Sequence, residues 1–297
     1  MKNMDISYEL YKVFYYVAHT LSFSAASKEL YISQSAVSQS IKTLEHKMGQ
    51  KLFIRSTKRV SLTPEGEILL RHIEPAIHLI QKGESQIIES TGAGGQIRIA
   101  ASDTICRYYL LPYLQKYHKD FPSVHIKLIN ASSLNCVDLL HEGQVDLIVV
   151  NYPNKNISSA TATHRIKEFT DVFVAGPAFS QLKDVLVTFE QIANYPVLLL
   201  DKESTTSDFL HQEFQKHHLD LIPEIELVSN DLLMELAMIG LGIAFIPDYA
   251  LINHREDLFT IRTKEPLPPR ELILAYHEEL PLTKPTQEFL KMFPVEL

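Results

Sequence analysis

Residues 23–48 restrict the fold of this chain more than any other stretch, because they predict two helices joined by a very short turn. Ala25 and Ala26 lie on the apolar side of the first helix and are small enough to let a second helix cross closely. Ser33 is a suitable N-cap for that second helix, since its hydroxyl can accept a backbone N–H of the first turn. The second helix then carries apolar residues at the period of one helix face, namely Val37, Ile41, Leu44 and Met48.

The opposite face of the second helix is polar but carries little charge. It holds side chains of short to medium length, which are Ser33, Gln34, Ser35, Ser38, Gln39 and Lys42. Ser and Gln can both donate hydrogen bonds to base edges and phosphates and accept them, which suits a helix in the major groove of double-stranded DNA. The alternative at this point is a solvent-exposed helix that is rich in Ser and Gln.

A second basic element follows this helix. Gly49 is expected to end the helix, and the apolar residues at positions 52, 54, 60 and 62 predict two short strands around residues 56–58. Arg55, Lys58 and Arg59 cluster on this predicted β-wing. Beside a helix that reads DNA, such a cluster is expected to contact phosphates or to reach into the minor groove.

Charge is distributed unevenly along the chain. The 297 residues carry a formal net charge of −8, which by itself argues against binding to nucleic acid. Residues 1–62 nevertheless contain nine Lys and Arg against four Asp and Glu, so this segment is at +5 and the remainder at −13. A basic head on an acidic body concentrates the attraction for phosphates at one end of the protein. The length suffices for two or three domains with cores of their own.

A long amphipathic helix is predicted from residue 64 to about residue 90. Thr63 is a suitable N-cap, Pro64 suits the first helical position, and Glu65 places an acid in the first turn. An apolar stripe follows, formed by Leu69, Ile73, Ile77, Ile80 and Ile87. Pro75 should bend this helix without ending it. A two-fold partner helix is favoured over the chain's own core as the cover of the stripe, which predicts a homodimer.

The body of the chain alternates strands and helices, which is typical of an α/β fold with parallel sheets. Strands are expected at residues 97–101, 124–129, 146–150, 171–176, 196–200, 225–228, 242–247 and 272–277. Helices are expected at residues 105–119, 134–142, 206–217, 231–240 and 284–293. Two such units and a return strand predict two lobes, with the chain crossing between them near residues 159–165 and 264–270.

Small hydroxyl and amide side chains stand at the ends of four of these strands, next to predicted helix N-termini. Open α/β sheets bind their ligands beyond the carboxyl ends of the strands, where free helix N–H groups attract anions. The candidate ligand-binding residues are Ser102, Thr104, Ser132, Ser133, Asp201, Ser204, Thr205 and Asn230. Their chemistry suits a small anion or carboxylate. The alternative is that they serve only as helix N-caps.

Residues 8–66 resemble the DNA-binding domain of the LysR-type transcriptional regulators. The resemblance rests on FSAAS at 23–27, SQSAVSQSIKTLE at 33–45, the pattern G-x-x-L-F-x-R at 49–55 and LTPEG at 62–66. It implies that bases are read by Gln34, Ser35, Ser38 and Gln39, and that the wing contacts are Arg55 and Lys58. Some family members carry Arg where this chain has Gln39, so the resemblance leaves the preferred bases open.

The body resembles the effector domain of the same family, itself similar to a periplasmic binding protein, through EGQVDLIV at 142–149 and GLGIAFIP at 240–247. The resemblance implies an α/β chain of three parts. These are an all-α winged helix-turn-helix domain at 1–62, a linker and dimerisation helix at 63–91 and an effector-binding domain at 92–297. Lobe I of that domain would hold residues 92–162 and 267–297, and lobe II residues 163–266. The implied function is a regulator that binds a promoter operator as a homodimer or homotetramer and responds to a small-molecule effector between the lobes.

Two other functions remain open. Cys106 and Cys136 could make a regulator redox-responsive, since Cys106 lies at a predicted helix start, although a lone intracellular cysteine is more often a small buried apolar residue. The body could instead bind a solute without any role in transcription, but the basic head argues against that.

The sequence shows no nucleophile elbow, P-loop, Rossmann fingerprint or metal pattern, so we expect no enzyme activity, cofactor or metal. It also shows no signal peptide and no run of about 18 apolar residues, so we expect a soluble cytoplasmic protein without a membrane partner.

Overall fold

The computed structural model describes residues 6–55, 59–89, 94–253 and 256–294. The chain divides into two compact units, Met1–Ile88 with Glu142–Gln144, and Glu89–His141 with Val145–Leu297. Each unit has a hydrophobic core of its own.

The first unit is a winged helix-turn-helix followed by a long helix. Its elements are α1 (Tyr8–Thr20), α2 (Phe23–Glu29), α3 (Gln34–Met48), β1 (Phe53–Arg55), β2 (Val60–Leu62) and α4 (Pro64–Glu89). The hydroxyls of Ser22 and Ser33 accept the backbone N–H groups of Ala25 and Ala36, which satisfies the first turns of α2 and α3. Gly49 ends α3 in a left-handed conformation, with a φ of 70°. The predicted pair of helices and the short turn are confirmed.

The three helices α1, α2 and α3 bury their apolar faces against one another. Their fully buried side chains include Phe14, Val17, Ala26, Val37, Ile41 and Leu44. The strands β1 and β2 pair antiparallel, with Phe53 opposite Leu62. The ring of Phe53 lies 5.4 Å from that of Phe14, so the wing is attached to the helical core.

The helix α4 runs through Pro75 as one helix, as predicted. Leu69 and Ile73 pack against the core of α1, α2 and α3. The expectation that a partner helix covers the whole stripe is therefore wrong for its first half. Further along, Leu79 and Ile80 are 40% and 42% exposed. Along the described residues, no helix is both long enough and apolar enough to cross a membrane.

The start of α4 packs against the core of the first unit because Thr63 and Gly66 fix the path by which the chain enters this helix. The Thr63 hydroxyl donates to the backbone carbonyl of Lys51 at 2.7 Å and accepts the N–H of Gly66 at 3.0 Å. A Cβ on Gly66 would lie 2.2 Å from the carbonyl oxygen of Leu52. The first turn of α4 is thus held against the root of the wing, which brings the first apolar residues of the stripe to the chain's own core.

The second unit consists of two α/β lobes. Its helices are α5 (Asp103–Ile105), continued by a π-helix (Cys106–Leu110) into α6 (Leu111–Asp120), then α7 (Ser133–His141), α8 (Phe189–Ile192), α9 (Thr205–Lys216), α10 (Asn230–Met238) and α11 (Lys284–Leu290). Two 3-10 helices lie at Pro177–Leu182 and Asp248–Asn253. Its strands are β3 (Gln96–Ala101), β4 (His125–Asn130), β5 (Leu147–Tyr152), β6 (Thr161–Phe169), β7 (Asp171–Ala175), β8 (Leu186–Val187), β9 (Val197–Leu200), β10 (Ile225–Leu227), β11 (Ile243–Pro247), β12 (Phe259–Thr263) and β13 (Arg270–His277).

Each lobe is built on a mixed sheet. Within the described residues, lobe I has the strand order β4-β3-β5-β13-β6 and lobe II the order β10-β9-β11-β7-β12-β8. The strands β3, β4 and β5 are parallel, but β13 is antiparallel to β5 and β6 is antiparallel to β13. In lobe II, β9, β10 and β11 are parallel and β7 is antiparallel to β11. The predicted parallel pairing therefore holds for three strands of each lobe. The strands β7 and β13 are antiparallel to their neighbours because the chain reaches each of them from the other lobe and so enters the sheet from the opposite end.

The edge strand β6 is absent from the sequence prediction. It carries Thr, His, Arg, Lys and Glu and pairs along its length with β13 in lobe I. The chain therefore crosses to lobe II at Thr170, and the predicted crossover at residues 159–165, with its lobe boundary at 162, is wrong. A strand exposed on one face lacks the continuous apolar run of the central strands, which is why the pattern missed it. The second crossover lies between Thr263 and Arg270, as predicted.

A fully buried ion pair lies at the two crossovers. Asp171 is the first residue of β7 and Arg270 the first residue of β13, and Arg270 Nη1 lies 2.7 Å from Asp171 Oδ2. Their side chains are 0% and 1% exposed. Arg270 also donates to Thr206 Oγ1 at 3.2 Å, and its guanidinium lies 5.0 Å from the centroid of the Phe209 ring. Because neither charge reaches water, each depends on the other for its stabilisation.

We expect the loss of one partner of this pair to destabilise the second unit strongly. Asp171→Ala should lower the free energy of unfolding by ~3–5 kcal/mol, because it leaves a guanidinium buried without its counter-charge. The double variant Asp171→Leu/Arg270→Met should lose less than Asp171→Ala alone, since it removes both charges. Urea unfolding followed by circular dichroism measures both. A double variant that loses more than Asp171→Ala alone would show that the two charges do not depend on each other.

Candidate functional site

The polar face of α3 is the exposed side of the helix-turn-helix in the first unit. The exposed residues among those predicted to read DNA are Ser33, Gln34, Ser35, Gln39 and Lys42. Ser38 is half-buried. Ser33 is occupied in part as the N-cap, because its hydroxyl accepts the N–H of Ala36 at 3.2 Å and lies 2.9 Å from the hydroxyl of Ser35. This face presents amide and hydroxyl groups, which can both donate to base edges and accept from them.

The wing residue Arg55 has a structural role besides the predicted one. Its guanidinium lies 4.4 Å from the centroid of the Phe23 ring and donates to Ser38 Oγ at 3.4 Å. The side chain is still 33% exposed, so its charge is also available to a phosphate. Arg59 is exposed, and Lys58 lies outside the described residues.

Glu45 is a buried carboxylate that the sequence analysis counted only as a charge. It is 4% exposed and accepts the backbone N–H groups of Leu52 at 3.0 Å and Phe53 at 3.4 Å. The Lys51 ammonium lies 3.2 Å and the Arg55 guanidinium 3.8 Å from its carboxylate. Glu45 thus fixes the first wing strand against α3.

The contacts of Glu45 also set the pH range in which it stabilises the first unit. Burial alone would raise its pKa, but the hydrogen bonds from Leu52, Lys51 and Phe53 outweigh burial and lower the pKa. A carboxylate whose pKa is lowered by folding stabilises the folded state above its unfolded pKa of about 4.3. That contribution is lost as the pH falls through the lowered pKa.

In the second unit, a polar cleft of about 510 Å³ opens between the lobes at the carboxyl ends of strands β3, β4, β5 and β9. All of the predicted ligand-binding residues line it, namely Ser102, Thr104, Ser132, Ser133, Asp201, Ser204, Thr205 and Asn230. They belong to strand ends and to the first turns of α5, α7, α9 and α10. The topology therefore brings together residues from four separate parts of the chain.

Several of these hydroxyls also cap helices, so both interpretations of the sequence apply. Ser102, Ser132 and Ser204 each accept a backbone N–H of the helix that follows, at 3.4, 3.2 and 3.1 Å. The hydroxyl of Ser133 accepts the backbone N–H of Asn151 at 3.1 Å. A hydroxyl that accepts one hydrogen bond can still donate its own proton, so capping does not prevent these residues from contacting a ligand.

The two lobes are bridged across the cleft by residues that were predicted to bind the ligand. Asn230 Nδ2 of lobe II donates to Thr104 Oγ1 of lobe I at 2.9 Å. Beside this bond, the carboxylate of Asp231 accepts a hydrogen bond from the Tyr108 hydroxyl and lies 3.1 Å from Arg107 Nε. The start of α10 is therefore clamped to lobe I.

Four buried polar atoms of the cleft wall have no hydrogen-bond partner within the described part of the chain. These atoms, which we call the wall oxygens, are Asn151 Oδ1, Thr205 Oγ1, Asn230 Oδ1 and the Tyr249 hydroxyl. A buried polar atom without a partner costs ~1–3 kcal/mol, so a ligand that bonds to it is favoured. Asn151 and Tyr249 are not among the residues predicted from the sequence to bind the ligand. The strand-end rule would have found both residues if it had been applied to β5 and β11, because Asn151 lies at the carboxyl end of β5 and Tyr249 two residues beyond that of β11.

The two cysteines are free thiols, of which Cys136 is buried and Cys106 is half-buried. Burial raises the pKa of Cys136 to about 12. Burial, together with the charge of Asp103, raises the pKa of Cys106 to about 11. At neutral pH both are thiols and not the reactive thiolates. In the part of the chain that the structure describes, no group of three His, Cys, Asp or Glu side chains could hold a metal ion.

Comparison with protein families identifies the class of protein that carries the polar face of α3 and the interlobe cleft. The profile described as "LysR substrate binding domain" matches residues 90–294, and the profile "Bacterial regulatory helix-turn-helix protein, lysR family" matches residues 8–67. The chain belongs to the LysR family. It is a transcriptional regulator of the ligand-responsive LysR type and not an enzyme.

Individual LysR-type relatives and solved structures agree with this assignment. The chain is 28% identical over 281 residues to a probable nitrogen assimilation transcriptional activator of Synechococcus elongatus, covering 93% of this chain and 90% of the relative. Full-length CbnR complexed with its target DNA matches with a TM-score of 0.67 and 16% identity, over 96% of this chain and 98% of CbnR. The regulatory domain of CcmR from Synechocystis PCC6803, in complex with 2-PG, matches with a TM-score of 0.61 and 20% identity, over 67% of this chain and 95% of that domain. At such identities the two structures show the shared fold alone.

We expect Gln39→Ala to weaken binding to a selected operator by ~1–3 kcal/mol, because it removes an amide that can bond to a base edge. Binding to random DNA should hardly change, since phosphate contacts supply most of that affinity. Fluorescence anisotropy with both DNAs, the operator being obtained by selection from a random library, measures the difference. Gln50→Ala is the matched control, because Gln50 is an exposed glutamine beyond the end of α3. Equal losses on both DNAs would argue against base reading by Gln39.

Proposed function

We propose that this LysR-type regulator binds a promoter operator as a homodimer or homotetramer and responds to a small anion or carboxylate in the interlobe cleft. The observation that carries the proposal is the two-sided character of α3, whose residues Val37, Ile41 and Leu44 are fully buried while most of the Gln and Ser residues on the opposite face are exposed. This helix stands in a basic unit of a chain whose other unit holds a polar cleft. A regulator of this kind acts in the cytoplasm, where the promoter is.

The roles of the DNA-contacting residues follow from their positions. We assign major-groove contacts to Ser33, Gln34, Ser35, Ser38, Gln39 and Lys42. We assign phosphate or minor-groove contacts on the wing to Arg55, Lys58 and Arg59. The exposure of α3, the attachment of Arg55 to Ser38 at 3.4 Å and the local charge of +5 support this division of roles.

The second half of α4 supplies the proposed contact between two copies. Leu79 and Ile80 are 40% and 42% exposed on a helix of 26 residues. The first half cannot serve in the same way, because Leu69 and Ile73 already pack against the chain's own core. Pairing α4 with its two-fold copy would cover the exposed apolar side chains and place two recognition helices on one operator.

The bridges between the lobes support a coupling between effector binding and lobe arrangement. A ligand beside Thr104 and Asn230 touches both partners of one bridge. Lys155 and Asp208 form a further bridge between the lobes at 2.8 Å. A ligand shifts the equilibrium between lobe arrangements only by its difference in affinity for them. Contact with both lobes supplies that difference.

The alternatives have less support. A redox-responsive regulator needs a thiolate at neutral pH, and burial raises the pKa of both Cys106 and Cys136. A solute-binding protein without a role in transcription leaves the basic head and the exposed face of α3 without a function.

Salt-dependent DNA binding and the assembly of an α4 variant test the proposal. The protein should bind DNA with an affinity that falls steeply as salt rises, because binding releases counterions from phosphates. Leu79→Asp/Ile80→Asp should yield monomers in sedimentation and lose roughly 100-fold or more in operator affinity, since each half-site is then bound alone. Arg71→Asp, which helical spacing places opposite Ile80, should remain assembled.

Two results would count against this proposal. DNA binding that is absent, or insensitive to salt, would reject the regulatory function. A double variant that still sediments as the assembled form would place the contact between copies outside this part of α4.

The cysteines offer a direct test of the redox alternative. A thiol of pKa about 11 should react with iodoacetamide at pH 7 roughly 100- to 1000-fold more slowly than one of pKa about 8.5. The rate should rise about tenfold for each pH unit up to the raised pKa, because the thiolate fraction rises by that factor. Mass spectrometry of digested protein measures the rate, with urea-unfolded protein as the control. Rapid alkylation of the folded protein at pH 7 would favour the redox alternative.

A further inference from the structure

We infer that the effector is a small zwitterion of the α-amino acid class, whose carboxylate lies at the helix N-termini of the cleft and whose ammonium lies against the wall oxygens. This inference rests on the proposed function, because it specifies the ligand of the same cleft. It narrows the proposed class of effector from a small anion or carboxylate to a molecule with one negatively charged group and one positively charged group. Three features of the cleft lead to it.

The first feature is a set of helix N-termini that favours a carboxylate. The helices α7, α9 and α10 have 9, 12 and 9 residues, and each begins in the cleft wall. Ser133, Thr205 and Asn230 are their first residues. The first N–H groups of a helix have no partner inside it, and the helix dipole adds about half a positive charge at this end. Helices from both lobes therefore turn donors toward the same space.

The second feature is the charge of the side chains that line the cleft. Among the described lining residues there is no Lys or Arg, whereas Asp201 and Glu203 are present together with Asp103, which is paired with Arg107 at 3.5 Å. Arg270, which donates to Thr206 of the wall, is already paired with Asp171. Phosphate and sulfate dianions are usually bound by Arg or Lys. The cleft instead combines partial positive charges at helix N-termini with full negative charges on carboxylates. This combination suits a ligand that has one group of each charge and no net charge.

The third feature is the wall oxygens. The amide oxygens of Asn151 and Asn230 require a donor, and the hydroxyl oxygens of Thr205 and Tyr249 can accept from the same donor. Asn151, Thr205 and Asn230 are 8%, 5% and 6% exposed, so water does not satisfy them readily. The amide N–H of Asn230 is used by Thr104, which leaves its Oδ1 as the free end of the amide. An ammonium has three donors and no acceptor, so it can satisfy several such oxygens at once.

The positions of the wall oxygens also connect this ligand to the lobes. Asn151 belongs to lobe I, whereas Thr205, Asn230 and Tyr249 belong to lobe II. One ammonium held between them would bond to both lobes. The cleft volume of about 510 Å³ accommodates an amino acid together with its side chain. The ligand that fits the charges thus also fits the geometry of an interlobe switch.

Calorimetry on the full chain with matched probes tests the ligand class. The probes are the standard L-amino acids and, for each amino acid that binds, the hydroxy acid that lacks its ammonium and the amine that lacks its carboxylate. Sodium phosphate, sodium sulfate and glucose complete the set. We expect at least one amino acid to bind, and both of its matched analogues to bind about tenfold more weakly or worse. The inference is overturned if an analogue, an anion or glucose binds as tightly, or if no amino acid binds.

Variants of Asn151 separate an ammonium contact from a loss of shape. Asn151→Asp keeps an acceptor oxygen and adds negative charge, so it should retain or tighten amino acid binding. Asn151→Leu removes the acceptor and should weaken binding about tenfold or more. Asn194→Asp, at an exposed asparagine outside the cleft, is the control and should change nothing. If Asn151→Leu does not fold, Tyr249→Phe removes a wall oxygen with the ring kept and should weaken binding in the same direction. Weaker binding by Asn151→Asp, or unchanged binding by Asn151→Leu or Tyr249→Phe, overturns the inference.

Binding of the same preparation to operator DNA keeps the two proposals distinguishable. DNA binding without any amino acid affinity would overturn this inference and leave the regulatory function intact. Amino acid binding without DNA binding would support the ligand class and reject the regulatory function.

Discussion

The buried pair of Asp171 and Arg270 stands at both passages of the chain between its lobes. Each residue begins a strand directly after a crossover, in a different sheet, and neither side chain reaches solvent. A pair of opposite charges in such an environment holds both strands to one geometry, because separating the charges would leave each of them buried alone. The two sheets consequently present their strand ends to one cleft. Thr206, a residue of the cleft wall, is bonded to the same guanidinium.

The first unit uses a buried charge in a comparable way. Glu45 connects α3 to the first strand of the wing through two backbone N–H groups and two cations. Arg55 is one of those cations and also lies against Phe23 and Ser38. The relative position of the two proposed DNA-contacting elements is therefore set by hydrogen bonds to one carboxylate. These charged residues thus determine the shape of the surface that the first unit presents.

The cleft combines structural and binding roles in the same side chains. The hydroxyls of Ser102, Ser132 and Ser204 cap helices and retain a proton to donate. Thr104 and Asn230 join the lobes to each other and still border the space that a ligand would occupy. A ligand in that space changes the environment of the hydrogen bonds that join the lobes. Such an effect on the bonds between the lobes is required if ligand binding is to alter the lobe arrangement.

The local elements, and the end of the fold at which a ligand should bind, follow from the amino-acid sequence alone. The spacing of Val37, Ile41 and Leu44 decided which face of α3 is buried, because a helix repeats every 3.6 residues whatever its surroundings. Gly49 marked the end of that helix, since glycine adopts the left-handed conformation at low cost. The cleft residues were predictable from the rule that strand ends of open α/β sheets carry the site, and Ser204 follows that rule.

Contacts between residues that are distant in sequence depend on the folded chain as a whole. Thr104 and Asn230 are 126 positions apart and Asp171 and Arg270 are 99 positions apart, so no local pattern could pair them. The polar edge strand β6 was missed for the same reason, because its pairing with β13 defines it and its own composition does not. Periodicity reports which face of an element is apolar. The burial of a polar atom such as Asn151 Oδ1 without a partner depends on the packing of several elements around it, and that packing exists only in the folded chain.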